Sequence, residues 1–499
     1  MSIVASAAPA GSARFRTAPW PDDQPQRLDL DRRLAPDHLA RQIDVAVARL
    51  DLRELCARYG GTGSAPYPPG LLLRVALYEA RRGRHSPADW HRDAQECDPV
   101  RWLLRGCTPS RSCWYAFRDR AAAVLRALNR QPLAQALQGG LTPATRGAED
   151  GTPVAANASR HHLLNQAALD KRAEQLAQAR AADERGAAPP AVPAWMAKRP
   201  AGRRRQQGRL EQARARLQEA QARNRAKRAS KRKAPEKIVI SPSDPEAALG
   251  LDKEDVYRPL YNVQVIDDLD SPFILAYEVF AQPNDAGLLG VMLAGARELL
   301  GHGLEAVLAD TAYAGGSDLA AAAAAGVTVY APLPKEARAE QGSLPKGAFT
   351  WLTAEQTYVC PQGHRLAYEG STAQQRSGTE AVVLHRYRCP PAHCRDCPLR
   401  QRCTTNPEAG RTISRAEHEE HIEALRQRMA TAQAQELYRL RRQTVELVNA
   451  DWKQHRKLRR LSGRGLSRAR CQVGLVVLAH NLVTFLAEEA KAEAGKAPP

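Results

Sequence analysis

The stretch Val256–Phe280, VYRPLYNVQVIDDLDSPFILAYEVF, decides the fold. Two runs rich in β-branched and aromatic residues, Val256–Asp268 and Phe273–Phe280, flank a break at Asp270, Ser271 and Pro272, which predicts adjacent antiparallel strands. Downstream, Asp285–Leu300 has helical apolar spacing, Leu304–Ala309 (LEAVLA) is a short apolar run, Gly315–Ala325 is again helical, and Gly326–Leu333 (GVTVYAPL) reads as another buried strand. Strand, strand, helix, strand, helix, strand describes an α/β sheet flanked by helices. Asp310 follows LEAVLA, at a strand end where ligand sites gather in such sheets, although the same position suits a cap for the next turn.

Upstream, AEDGTPVAANASRH places Asp150 before Gly151 and a run of small residues, which predicts a strand end entering a turn. Residues 27–138 have helical periodicity from Ile43, Val47 and Leu50 through Pro68-Pro69 and LLLRVALYEA, with Trp90, Trp102, Leu103, Leu104, Trp114, Phe117 and Leu125 as candidate core. That domain is all-helical and basic, suited to reading a DNA end. Residues 1–26 and 491–499 are expected to be disordered tails.

Two segments interrupt the α/β pattern. Residues 165–240 shift to Ala, Gln, Glu and Arg and predict a helical arm. Between Lys198 and Lys237 the arm holds 16 basic and 3 acidic residues, a balance of 16 − 3 = +13, including Arg203, Arg204, Arg205, Lys231, Arg232 and Lys233. Such an imbalance suits sequence-independent contact with phosphates. Residues 335–411 carry Cys360-Pro-Gln-Gly-His364, Cys389, Cys394, Cys397 and Cys403. The two-residue spacing of Cys394 and Cys397 lets both thiolates reach one tetrahedral ion, and a structural zinc is expected, with five cysteines for four places. The core then comprises residues 139–334 and 412–490.

The whole chain of 499 residues has 73 Lys and Arg against 54 Asp and Glu, a net charge of +19, which favours a polyanionic partner, nucleic acid before membrane. With only six Phe, single-strand stacking is not expected to dominate. The most apolar run, Val473–Leu486, is short and contains His480 and Asn481, so it predicts a buried helix. A cytoplasmic protein with no membrane partner is expected, and ten sparse cysteines do not make a disulfide scaffold.

Near the end, Arg441–Leu466 reads RRQTVELVNADWKQHRKLRRLSGRGL. Glu446 sits among many cations, and on a continuous helix Arg442, Glu446 and Lys453 share one face. An ion-paired surface glutamate is one reading; a carboxylate that holds a metal beside phosphates is the other.

The order Asp150, Asp310, Glu446 behind a helical basic domain resembles the DDE transposases of bacterial insertion sequences. The resemblance rests on Pro68-Pro69 with LLLRVALYEA, Asp150-Gly-Thr-Pro, Tyr261-Asn-Val-Gln264, Leu308-Ala-Asp310-Thr-Ala-Tyr313, Val445-Glu446, Arg464-Gly-Leu466 and Ala479-His-Asn-Leu482. It implies a ribonuclease H-like core, a mixed five-stranded sheet flanked by helices, with a β-rich insertion before the glutamate. By resemblance, Asp150, Asp310 and Glu446 hold Mg²⁺, which Mn²⁺ replaces, and Arg442 and Lys453 engage phosphates. Arg439 stands where one branch of the family has a tyrosine, beside Tyr438. The expected activity is cleavage of element ends and joining of a 3′ hydroxyl to target DNA, by a homodimer on double-stranded DNA at the nucleoid, with no small-molecule substrate. A catalytically silent DNA-binding regulator and a metal-dependent nuclease are the alternatives.

Overall fold

The computed structural model describes residues 13–61, 63–227, 229–333, 344–375, 381–406 and 408–495. The chain forms two compact units. One runs up to Pro283 and adds Ala294–Leu304 and everything from Arg441 onward; the other comprises Asn284–Leu293 and Glu305–Leu440.

The first unit is built on four antiparallel strands, β1 (Arg146–Ala155), β2 (Ala248–Leu251), β3 (Tyr257–Asp268) and β4 (Ile274–Phe280). β3 is central. β1 pairs along one edge with Asp150 opposite Val265, while β2 and β4 share the other edge, at Tyr257–Leu260 and Asn262–Asp267. β3 is buried without interruption from Pro259 to Asp268, which explains its nearly continuous apolar run. The predicted β3–β4 hairpin is observed.

The helix Leu466–Ala494 organises the rest of this unit. It packs against the helices Leu39–Ala48, Pro69–Arg81 and Leu125–Gln138 and against β4. Among the described residues it is the one helix long and apolar enough to cross a membrane, yet 72% of its apolar window is buried inside the protein, as befits a core helix. Two residues fix its contact with the sheet. Gly474 lies where a Cβ would come 2.6 Å from the Tyr277 hydroxyl, so only glycine lets helix and strand approach. Asn481, fully buried, accepts from the Ile274 N–H (2.9 Å) and donates to the Ile274 carbonyl (2.8 Å).

The N-terminal helices, from Pro25–Arg33 to Leu125–Gln138, hold the expected aromatic core. Trp90, Trp114 and Phe117 meet edge to face at 6.0–6.5 Å, each pair adding about 0.5–1.5 kcal/mol to the gain from burial. Because they pack on the Leu466–Ala494 helix, they belong to the same unit as the sheet. The expected tail of residues 1–26 is shorter: residues 1–12 lie outside the described residues, but Arg16 N–H donates to Pro66 O, Trp20 N–H donates to Arg105 O, and a helix starts at Pro25. At the other end the helix continues to Ala494, four residues into the expected tail.

The arm is a helical hairpin, Gln166–Glu184 and Pro200–Ala226. Leu169 and Leu176 on one helix and Leu210 and Leu217 on the other repeat at seven residues and form its buried seam. Paired hydrogen bonds between Leu164 and Ile240 close its base.

In the second unit, β5 (Ala306–Leu308) and β6 (Thr328–Tyr330) are parallel and joined through the helix Gly316–Ala324. The insertion follows as a hairpin, β7 (Thr350–Leu352) with β8 (Thr357–Val359), and a sheet ordered β9 (Ala367–Gln375), β10 (Ala381–Arg388), β11 (Thr412–Ala416). It is β-rich, as the resemblance implied. β11 pairs with β10, so the insertion runs to Ala416, past the expected boundary at 411. Helices follow at Glu419–Met429 and Ala432–Arg439.

Candidate active site

Asp150 lies in the middle of the ten-residue strand β1 rather than at a strand end before a turn. The small residues around it serve close packing: a Cβ on Gly147 would sit 2.5 Å from Ile266 Cγ2 across the pair. Asp-Gly reads as a turn signal, yet here both residues pair with β3, opposite Val265 and Gln264.

The chain reaches the glutamate helix, Val445–Gln454, through a 3₁₀ turn at Leu440–Gln443 and a break at Thr444 (φ −118°, ψ −102°). That break corrects an expectation: Arg442 does not share a helix face with Glu446 and Lys453; it is exposed, in the preceding turn. The turn instead carries Arg441 inward. Arg441 Nη2 donates to Asp150 Oδ1 (2.8 Å) and to the Glu149 carbonyl (3.3 Å), while Nη1 donates to Glu446 Oε1 (3.2 Å). Asn449, one turn after Glu446 on the same helix, donates to Asp150 Oδ2 at 2.8 Å. Asp150 and Glu446 are therefore brought together around one guanidinium. Side-chain exposure grades outward, 9% for Arg441, 15% for Asp150 and 49% for Glu446, so the pair opens to solvent on the glutamate side.

Lys453 is two turns beyond Glu446 and half-buried. Burial, with Lys253 close by, lowers its ammonium to about 8, and Asp150 opposes the shift. A cation whose charge is costly to keep gains from a phosphate.

Sequence reasoning passed over Asp267. It faces Ala148 across the β1–β3 pair, on the same side of the sheet as Asp150. It is buried, neither carboxyl oxygen has a hydrogen-bond partner, and burial together with Asp150 and Asp268 raises it well above the ordinary range. Burial thus disfavours a charge on it. The strand register would have exposed it, since Asp267 falls two residues from the partner of Asp150; without the register it looked like the polar end of a strand.

Asp310 belongs to the second unit, two residues past β5, where Oδ1 accepts from the Ala312 N–H (2.7 Å) and caps the single turn Thr311–Tyr313. It is both the strand-end carboxylate and the cap that the sequence allowed.

The expected DNA-contacting cations divide. Arg204, Arg205, Lys231, Arg232 and Lys233 are exposed. Arg203 is not: it is 2% exposed, paired with Asp183 and donating to the carbonyls of Ala197 (3.0 Å) and Lys198 (2.8 Å). It holds the arm's two helices together, which corrects its assignment to DNA. Arg439 is exposed and paired with Glu436 at 2.6 Å. In the helical domain Arg82 and Arg84 are bound to Asp93, and Arg118 is buried beside Asp119.

Two motifs behind the resemblance hold the fold. Tyr261 donates to Asp244 (2.9 Å), and Asp244 accepts from the Gly465 N–H (3.1 Å), where φ is +88° and a Cβ would lie 2.9 Å from Glu246. This latch starts the Leu466–Ala494 helix.

An acid on β1 and a second acid on the helix beside it thus share one guanidinium. Residues 359–486 match the family model of the transposase DDE domain, about a quarter of the chain. The match includes Glu446, Lys453 and most of the insertion and leaves Asp150 and Asp310 outside. It supports a DDE transposase. No curated protein and no solved structure matches the chain.

Proposed function

We propose that the protein is the transposase of an insertion sequence, cleaving the element's ends and joining the exposed 3′ hydroxyl to target DNA. The observation that carries this reading is the convergence of Asp150 and Glu446 on one guanidinium: two oxygen ligands already share a single cation, the donor chemistry that Mg²⁺ or Mn²⁺ requires. Asp150 and Glu446, with Asp310 as the third carboxylate by resemblance, would hold two such ions. Bound there, the ions supply the polarisation of a water or 3′ hydroxyl and the neutralisation of the leaving oxygen.

The chain's own groups do the rest. Asn449 holds Asp150 by Oδ2, leaving Oδ1 to the guanidinium that also binds Glu446. Lys453 and Arg442 grip the phosphates beside the scissile bond, and the exposed cations of the arm hold backbone further away without reading bases. Synapsis of two ends calls for a dimer on DNA.

The test is strand transfer with a labelled element end in Mg²⁺ or Mn²⁺. Wild type is expected to produce cleaved ends and joined products, while Asp150→Asn, Asp310→Asn and Glu446→Gln each bind the end and yield neither. A wild-type protein that cuts without joining would make it a nuclease, and variants as active as wild type would move the site elsewhere.

A further inference from the structure

The insertion carries a second cluster of chemistry unconnected with the carboxylates. All five of its cysteines line one cavity of about 20 Å³, together with His364, His393 and Arg411. That volume holds one water-sized particle. The cavity sits in the insertion's small core, where Cys389, Cys394 and Cys403 are buried among Phe349, Tyr358, Leu366, Tyr387 and Ile413.

The backbone around the cavity is shaped to present sulfur. Cys360 N–H donates to the His364 carbonyl (2.9 Å) and Cys360 O accepts from the Gly363 N–H (2.8 Å), a tight knuckle whose glycine has φ +83°. Cys389 N–H donates to Arg411 O (2.8 Å), and a Cβ on Gly410 would lie 2.2 Å from the Cys389 carbonyl, so that turn also requires glycine. Cys394 and Cys403 come from two short helices, Pro391–Arg395 and Arg400–Cys403. The five thiols are brought to this one cavity from the knuckle, the strand end at Cys389 and the two short helices.

Two observations favour a metal over packing alone. Arg411 Nε is buried with no hydrogen-bond partner, on a side chain that lines the cavity and acts on Cys403. Thiolates bound to a divalent ion carry excess negative charge and accept such an N–H. The cysteines are free, and five soft ligands select zinc rather than magnesium. The sulfurs stand somewhat open: among the described residues only the exposed His418, Glu420 and His421 bring three candidate ligand atoms within 4.8 Å of one another. Zinc bound at about 2.3 Å from each sulfur would draw the thiolates inward.

We propose that the insertion binds one structural Zn²⁺ through Cys360, Cys389, Cys394 and Cys403, with Cys397 outside the ligand set. Cys397 is the less buried member of the two-residue pair, Cys394 being buried. The inference is independent of the DNA chemistry.

The full chain, expressed with zinc and purified under reducing conditions, is expected to carry about one zinc per chain by elemental mass spectrometry. Exchange for Co²⁺ should give the thiolate charge-transfer absorption of four sulfurs, and stripping the metal should lower the melting temperature. Cys389→Ser and Cys403→Ser should lose at least nine-tenths of the metal, and Cys397→Ser should keep it. Because Cys389→Ser also alters a buried position, the wild-type stoichiometry and the cobalt spectrum decide independently of its folding. Zinc-free wild type that takes up no cobalt, disulfides among the five cysteines, or metal lost from Cys397→Ser and kept in Cys403→Ser would each overturn the assignment.

Discussion

Asn449 Nδ2 donates to Asp150 Oδ2 at 2.8 Å, tying the glutamate helix to the middle of β1. Asn449 is buried, so its part is to position Asp150. Asn449→Leu should cut strand transfer by roughly 10- to 100-fold, as loss of an outer-shell partner does, while gel-shift affinity for the element end stays within about twofold. Equal losses in binding and strand transfer would mean that Asn449 serves the fold instead.

Asp267 provides a contrast on the same face of the sheet. Burial disfavours a charge on Asp267, so Asp267→Asn, a neutral group of the same shape, should leave DNA cleavage near wild-type level, whereas Asp150→Asn abolishes it. Cleavage assays on the two variants side by side check this, and a dead Asp267→Asn with native stability would bring Asp267 into the chemistry.

The arm's exposed cations should act through phosphates alone. Replacing Arg204, Arg205, Lys231, Arg232 and Lys233 by alanine should weaken binding to specific and random duplexes alike and reduce the slope of log affinity against log salt by up to about 4. Arg203→Ala should differ in kind, loosening the hairpin because Asp183 and two carbonyls lose their partner; hydrogen exchange across Gln166–Ala226 would report it.

Glu79 predicts a pH dependence in the helical region. Burial, against the pull of Arg82 and aided by Asp93, raises its carboxyl from 4.5 to about 7. A raised carboxyl favours the protonated native state, so its stabilisation is complete below about 4.5 and is lost as pH rises to about 7. Glu79→Gln should therefore be more stable than wild type at pH 8, by about 3 kcal/mol, and equal to it near pH 4.5. Denaturant titrations at the two pH values measure the difference.

Asn481→Ala should be among the more damaging single changes to stability. It strips both backbone groups of Ile274 of partners in a fully buried place, at about 3 kcal/mol, with a fall of several degrees in melting temperature. Asn481→Asp, which keeps only the acceptor, should also be destabilised.

Much of this was legible from sequence wherever periodicity was strong. β3, β4, the helix Gly316–Ala324 and the buried helix after Gly465 follow their apolar patterns. β1 was misread because a strand that packs closely is made of Gly and Ala, the residues that also mark turns. The arginine that meets the acids was not singled out: a continuous helix would put Arg442 on the Glu446 face, but the 3₁₀ turn and the break at Thr444 turn Arg441 inward, and no pattern of residue types encodes that change of phase. Arg203 shows the converse limit, since charge composition does not distinguish a cation facing solvent from one bonded to Asp183.

Arg441 has a consequence for how the protein waits. A guanidinium built into the chain is a tethered competitor, held at a concentration no free ion reaches. It keeps two neighbouring acids from repelling each other, so chelators should leave the first unit folded. Under the proposed chemistry, the concentration of magnesium that half-saturates the reaction reports how readily Arg441 gives way as well as how well the carboxylates bind.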